Sequence, residues 1–313
     1  STLRQLFVDK RNLFRPWFYK MVRDILRFNR TAPDAISGHP KDWTLREFLD
    51  DHEFTGAFVE YYLVPMGAAI WSTPVNQVLD MPAHFFIRFF ENHGMLTVDD
   101  RPEWRVIKGG SHRYVKKIIK PFAERIRLNH TVQQVERFPD HVTVDGEQFD
   151  EVVLACHSDQ ALSMLKDPSA AERSILGAIP YQTNEVVLHT DTRLLPSRPK
   201  AWAAWNYHAS GSSEKSAGVA LTYNMNILQS LEGPDVFCVT LNDAASVKDE
   251  EVLGRFEYHH PLFTLNGITA QQRHGEISGV ARTHYCGAYW GYGFHEDGLN
   301  SALAVARAFG AAV

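Results

Sequence analysis

The stretch Thr283–Gly310, "THYCGAYWGYGFHEDGLNSALAVARAFG", constrains the fold more than any other part of the chain. An apolar run ending at Gly287 reads as a buried strand. A loop then carries aromatics and more glycines, and a helix of small residues is expected to open at Asp297–Gly298. A helix start offers backbone N–H groups and the positive end of a dipole to a phosphate, a carboxylate or a polarised carbonyl oxygen. Gly287, Gly291, Gly293 and Gly298 permit close approach of backbone to a ligand, and Tyr289, Trp290, Tyr292, Phe294 and His295 supply walls for a planar ring. The same pattern also describes an ordinary strand–loop–helix whose aromatics are core.

The rest of the chain divides by texture. In residues 4–30 apolar positions recur at helical spacing, with Pro16 suited to the first turn of a second helix. Their polar side is rich in Arg and Lys, which fits a solvated face of a docked helix or a helix lying on a membrane surface. Thr44 and Glu47 form a capping-box pattern, and "AFVEYYLVPMGAAIW" and "MPAHFFIRFFENHG" read as two further helices, the second closed by Gly94. From Trp104 short strands alternate with helices. "WRVIKGGSHRYVKKIIKPF" reads as a strand, a Gly-Gly turn and a helix capped by Ser111. "RIRLNHTVQQVERFPDHVTVDGEQFDEVVLAC" reads as three or four strands with a hairpin turn at Asp145–Gly146. Residues 180–245 are β-rich, with "ASGSSEKSAG" as a hairpin loop, and "KDEEVLGRFEYHH" is expected to be a helix. Trp202, Trp205, Asn206 and Tyr223 are either plain sheet residues or a pocket wall. The fold class is mixed α/β.

Several function classes drop out. A net charge of −5 with no clustered basic face gives no footprint for nucleic acid. No apolar run is long enough for a membrane span. Cys156, Cys238 and Cys286 are too few and too scattered for a disulfide framework or a thiolate metal site, which makes a reducing compartment, the cytoplasm, the default. There is no HExxH, and His259 and His260 fall on different faces of the helix expected there, so no metal site is assigned. No GxSxG elbow or P-loop is present.

The terminal stretch resembles the C-terminal flavin-binding segment of the amine oxidase-like FAD oxidoreductases. "RIRLNHTVQQVE", "DEVVLACHSDQAL" and "KGGSHRYVKKI" agree with that family in order and rough spacing. "NLFRPWFYKMVRDILRFNR", "LVPMGAAIWS", "FFIRFFENHG" and "GYGFHEDGLNSAL" are similar to a bacterial subgroup of predicted NAD/FAD-binding members, over nearly the whole chain. The resemblance implies a Rossmann-like FAD-binding domain with an inserted helical and β-sheet substrate domain. It implies FAD contacts at Val132, Ala155, Gly287, Ala288, Asp297, Gly298 and Leu299, and Tyr292 and His295 on the substrate side of the ring. Where many members carry an acidic residue two positions after the strand's Gly, this chain has Tyr289.

The expected organisation is a helical substrate-side region over 1–105, a FAD-side segment over 106–160, a β-rich substrate domain over 161–274 and a FAD-side strand and helix over 275–313. No GxGxxG lies between a strand and a helix, so the chain is expected to be the C-terminal portion of a flavoprotein and to bind FAD weakly or not at all by itself. The expected substrate is an amine or an apolar, acyl compound, with peripheral membrane contact open and the oligomeric state unspecified. The competing reading is a cofactor-free scaffold that keeps the fold and binds a partner or a lipid surface.

Overall fold

The computed structural model describes residues 9–97, 103, 105–208 and 220–311. The expected hairpin loop at 209–218, Trp104 and the first eight residues lie outside the described residues. The described strands, in chain order, are β1 (Val135–Arg137), β2 (Val142–Val144), β3 (Glu147–Phe149), β4 (Val152–Leu154), β5 (Tyr181–His189), β6 (Trp205–Tyr207), β7 (Leu221–Asn224), β8 (Cys238–Leu241), β9 (Val252–Pro261) and β10 (Thr283–Tyr285). The chain forms two compact units, Ser1–Ala123 with Gln182–His260, and Glu124–Tyr181 with Pro261–Val313.

The first unit combines helices with a sheet. Pro16 occupies the first turn of the Pro16–Ala35 helix, as its missing N–H allows. Thr44 and Glu47 make both halves of the capping box that starts Leu45–Asp51. Residues 56–71 are helical throughout, with a π-helical stretch at Val59–Leu63, and Gly94 follows the Ala83–Asn92 helix at φ 61°. The aromatic wealth of this region is core. Phe28 sits 5.5–6.4 Å, ring to ring, from Phe48, Phe54 and Phe58, and Trp71 packs on Phe85, Phe86 and Phe89. Phe28, Phe48, Phe58 and Phe86 are wholly buried, so these rings fill the helical unit rather than line an open apolar tunnel.

The sheet of this unit has the order β6-β7-β8-β5-β9. Asn206 spends its amide on the Ala203 and Thr222 carbonyls, Trp202 donates to the Pro196 carbonyl, and Trp205 meets Tyr223 edge-on. Trp205, Asn206 and Tyr223 therefore have sheet roles, and Trp202 ends the Pro199–Ala201 turn before β6. The helix expected over "KDEEVLGRFEYHH" is instead a short 3₁₀ turn followed by strand β9. Its charged start suggests a helix, but the aromatics recur with period two, and Phe256 and Tyr258 stack at 6.0 Å on one face. His259 and His260 accordingly point to opposite faces, towards Thr183 and Asn184. Two smaller expectations also change. Arg105–Ile107 form no strand, and Ser111 makes no side-chain cap to the His112–Ile119 helix, because its own backbone is already helical.

The second unit holds two small sheets. β1, β2 and β3 form an antiparallel meander whose β2–β3 turn is Asp145–Gly146, both at positive φ (49° and 85°), as a two-residue hairpin requires. β4 and β10 pair in parallel, Val152 with Thr283 and Leu154 with Tyr285. Val135, Leu154, Leu165, Ile175, Leu176, Ile277 and Tyr285 make one buried cluster, against which Val132, Cys156 and Trp290 pack. That cluster seats the ends of β4 and β10.

Candidate active site

Every residue singled out from the sequence as a flavin contact or a ring-side candidate belongs to the second unit. Because β4 and β10 are parallel and in register, Ala155 and Gly287 leave the sheet at the same edge. The Cys286 amide donates to the Leu154 carbonyl, and a Cβ on Gly287 would lie 3.5 Å from the Cys156 carbonyl oxygen. Ligands of open α/β sheets sit at this carboxyl edge.

The loop after Gly287 is held by neighbours that sequence spacing did not identify. Gln271 donates from one amide group to the Tyr289 and Gly291 carbonyls, both at 2.8 Å. Ser301 accepts from the Gly287 amide at 2.9 Å and donates to the Gly298 carbonyl at 2.8 Å, tying the strand end to the terminal helix. His274 stands 2.8 Å from the Tyr285 carbonyl and meets Trp290 edge-on. Only the sequence distance from Gly298 to Ser301, one helical turn, hinted at any of these contacts.

Two glycines are required by close approach. A Cβ on Gly287 would sit 2.5 Å from a ring carbon of Tyr289, whose side chain is buried, and one on Gly291 would sit 2.2 Å from Asp297 Oδ1. The tyrosine that replaces the family's acidic residue thus folds back over the strand end. Tyr289 is a packing residue here, and burial drives its hydroxyl far above the ordinary tyrosine range.

The terminal helix runs from His295 to Ala308 and so begins two residues before Asp297. Asp297 is its third residue, and its carboxylate accepts from the Phe294 amide at 3.0 Å. The Gly298 amide already donates to the Phe294 carbonyl at 3.1 Å, and Leu299 lies deeper in the helix, half exposed. The amides without an intrahelical acceptor are those of the first turn, such as Glu296 and Asp297. The helix thus opens earlier than the expected Asp297–Gly298 start, and any contact from Gly298 or Leu299 is not through an unused N–H at the helix end. Two carboxylates in that turn already complement the dipole, so the helix start suits a neutral polarised carbonyl better than a phosphate.

Ala155 and Leu299 are exposed, Ala288, Tyr292, Asp297 and Gly298 are half-buried, and His295 is exposed. Nothing comes nearer than 3.9 Å to a Cβ built on Gly298, and the nearest group is Ala288. Ala155, Ala288 and Gly298 are therefore small residues that a flat ring can approach closely, and they fit the group the sequence implied. Val132 packs on the cluster under the strand ends, and the two amides that follow it, Gln133 and Gln134, both donate to Asp145 Oδ1 at 2.9 Å. Cys156 and Cys286 are at the strand ends, and burial pushes both thiols up, away from the thiolate a covalent link would need.

Below the site lies a buried ionic group. Glu172 bonds the Arg137 guanidinium, the Ser169 amide and the Tyr285 hydroxyl, and its side chain and that of Arg137 are 3% and 5% exposed. Burial alone would raise the Glu172 carboxyl, but these partners outweigh it and hold it down at about 2. Tyr285 ends β10, so this group fixes the strand that delivers Gly287.

Comparison with known proteins bears on the fold. A putrescine oxidase structure, wild type with bound putrescine, superposes with a TM-score of 0.61 at 13% identity, covering 92% of this chain and 76% of that one. A fatty acid isomerase from P. acnes that produces CLA gives 0.60 at 13%, with coverages of 94% and 75%. Cyclohexylamine oxidase from Brevibacterium oxydans IH-35A gives 0.58 at 10%, with coverages of 95% and 76%. A sequence search among curated proteins finds no match. The family model for flavin containing amine oxidoreductases matches residues 3–309, and the chain belongs to that family.

Proposed function

We propose that the chain works as an FAD-dependent oxidoreductase that removes a hydride from a C–H bond of an amine or of an apolar, acyl substrate. The observation that carries this reading is the meeting of Ala155, Gly287, Ala288 and the start of the His295–Ala308 helix at one edge of the β4–β10 pair. In this reading Val132, Ala155, Gly287, Ala288, Asp297, Gly298 and Leu299 form the FAD side, and Tyr292 and His295 line the substrate side of the ring. Residues 106–160 and 275–313 then serve the cofactor, and 1–105 with 161–274 serve the substrate.

Bound flavin would supply hydride acceptance and reoxidation. The chain's own residues hold and orient it. The first-turn amides of the terminal helix would hold a ring carbonyl of bound flavin and stabilise negative charge there without reorganisation. Ser301 and Gln271 keep the Gly287–Gly291 loop from moving away from that ring. The names of the structural neighbours, which cover putrescine, cyclohexylamine and a fatty acid, are in keeping with this substrate range. No helix among the described residues is long and apolar enough to cross a membrane. A cytoplasmic location, with peripheral membrane contact through the exposed Phe14 and Trp17 beside Arg15 and Lys20, belongs to this proposal.

The test is a titration of the purified chain with FAD, read as quenching of flavin fluorescence, followed by anaerobic addition of diamines, cyclic amines and fatty acids. Weak but saturable quenching, and bleaching by one of these classes at saturating FAD, are expected. An unsaturable, linear response overturns the reading and leaves the cofactor-free scaffold.

A further inference from the structure

The first unit carries a group of side chains that the flavin chemistry does not use. His39 follows the short Ile36–Gly38 turn, Asp51 ends the Leu45–Asp51 helix, and His52 caps that helix. One ligand atom from each lies within 4.8 Å of the other two. Asp51 Oδ2 is 3.5 Å from His39 Nε2 and 3.5 Å from His52 Nδ1.

His39 Nε2 is shut off from water and makes no hydrogen bond. Its polar contact with Asp51 at 3.5 Å is too long for a hydrogen bond, and a cation held between the two would satisfy both. The rings have little freedom to seek another partner. Trp43 meets the His39 ring edge-on at 4.4 Å, His52 stacks on Phe48 at 4.4 Å, and Arg27 holds the His52 carbonyl at 2.9 Å. The His84 ring in turn contacts the His39 carbonyl.

We infer that His39, Asp51 and His52 form a binding site for a divalent transition cation of the zinc, cobalt or nickel type, with water completing the coordination. Two imidazoles and a carboxylate select this class over magnesium and calcium, which prefer all-oxygen shells. The two spacings to Asp51 agree: atoms 3.5 Å apart and each ~2.1 Å from zinc subtend about 113° at the ion, close to tetrahedral, and the two imidazole nitrogens lie within 4.8 Å of each other. Asp51 is half exposed and provides the entry path. His52 Nδ1 also lies 3.1 Å from the Phe48 carbonyl, so a cation bound through Nδ1 displaces that contact. That competition makes the affinity lower than that of a preformed site of three free ligands.

Sequence reasoning missed the group because its members do not form a spaced motif. His39 is twelve residues before Asp51, and only the return of the Leu45–Asp51 helix brings them together.

The test uses the full chain, stripped with chelator, titrated calorimetrically with zinc chloride and separately loaded with cobalt. One equivalent of zinc per chain and a visible cobalt spectrum of tetrahedral type are expected. His39→Gln and Asp51→Asn should each weaken zinc binding by about 100-fold, whereas His259→Gln, in an exposed strand pair with Glu257, should leave it unchanged. If the variants fold poorly, X-ray absorption at the zinc edge of the loaded wild-type chain reads the ligands directly. Two imidazoles with oxygen ligands support the site. No saturable binding, equal affinity in the variants, or an edge spectrum without imidazole overturns it.

Discussion

The Tyr285 hydroxyl donates a 2.6 Å hydrogen bond to Glu172 Oε1, joining the last residue of β10 to a helix more than a hundred residues earlier in the chain. Arg137 closes the group from the other side of the carboxylate. Glu172→Gln would leave the buried Arg137 guanidinium with only the half-exposed Asp167 carboxylate as counter-charge, a change that costs up to about 3–5 kcal/mol. Tyr285→Phe keeps the ion pair and loses one charge-assisted hydrogen bond, for about 1.5–3 kcal/mol. Urea unfolding of both variants should rank them in that order.

The same carboxylate predicts an acid limb to stability. Its pKa falls from 4.5 to about 2 on folding. The folded state therefore binds the proton less readily than the unfolded state. The contribution is complete above the unfolded value and is lost as pH falls from about 4.5 towards about 2, with a size on the order of 3 kcal/mol. Melting temperature followed from pH 6 downwards should show this loss (about 4.5 marks its onset), and Glu172→Gln should flatten it.

At the strand end, alanine at Gly287 or Gly291 must displace the Tyr289 ring or the Asp297 carboxylate. Overpacking of this kind costs about 1–3 kcal/mol. Both variants are expected to lose FAD affinity by more than their loss of stability explains, because the displaced groups set the path of the loop. FAD titration beside thermal melting separates the two effects.

Removing the supports of the loop should act differently. Ser301→Ala leaves the Gly287 amide without its acceptor, and Gln271→Leu frees the Tyr289 and Gly291 carbonyls. Each is expected to destabilise by about 1–3 kcal/mol. Amide hydrogen exchange should rise at residues 287–293 and stay unchanged in the β5–β8 sheet.

Asp145 distinguishes side-chain acceptor from backbone conformation. It stands at φ 49° and accepts the Gln133 and Gln134 amides. Asparagine tolerates that φ and keeps an acceptor, whereas alanine does neither. Asp145→Asn should preserve protection of the Gln133 and Gln134 amides, and Asp145→Ala should lose it along with FAD affinity at the Val132 segment.

Periodicity, caps and turn chemistry settle much of this protein locally. The Pro16 helix start, the Thr44–Glu47 box, the Asp145–Gly146 hairpin and the strands β1 to β4 follow from neighbours in the chain, and so they were legible there. Where two local signals competed, the sequence misled. The acidic "KDEE" suggested a helix, while the period-two aromatics of β9 were answered by a partner strand that only the sheet supplies. The same holds at the terminal helix, whose start depends on Asp297 reaching back to Phe294 past a glycine with no side chain to block it.

What the sequence determined by itself is most of the elements, the family and the placement of small residues after two apolar strands. Tertiary structure decided the rest: the β4–β10 register that brings Cys156 against Gly287, the Ser301 and Gln271 braces, the Arg137–Glu172–Tyr285 group and the His39–Asp51–His52 cluster. Those contacts join residues far apart in the chain. Their energy depends on where packing brings the partners, and no local propensity carries that information.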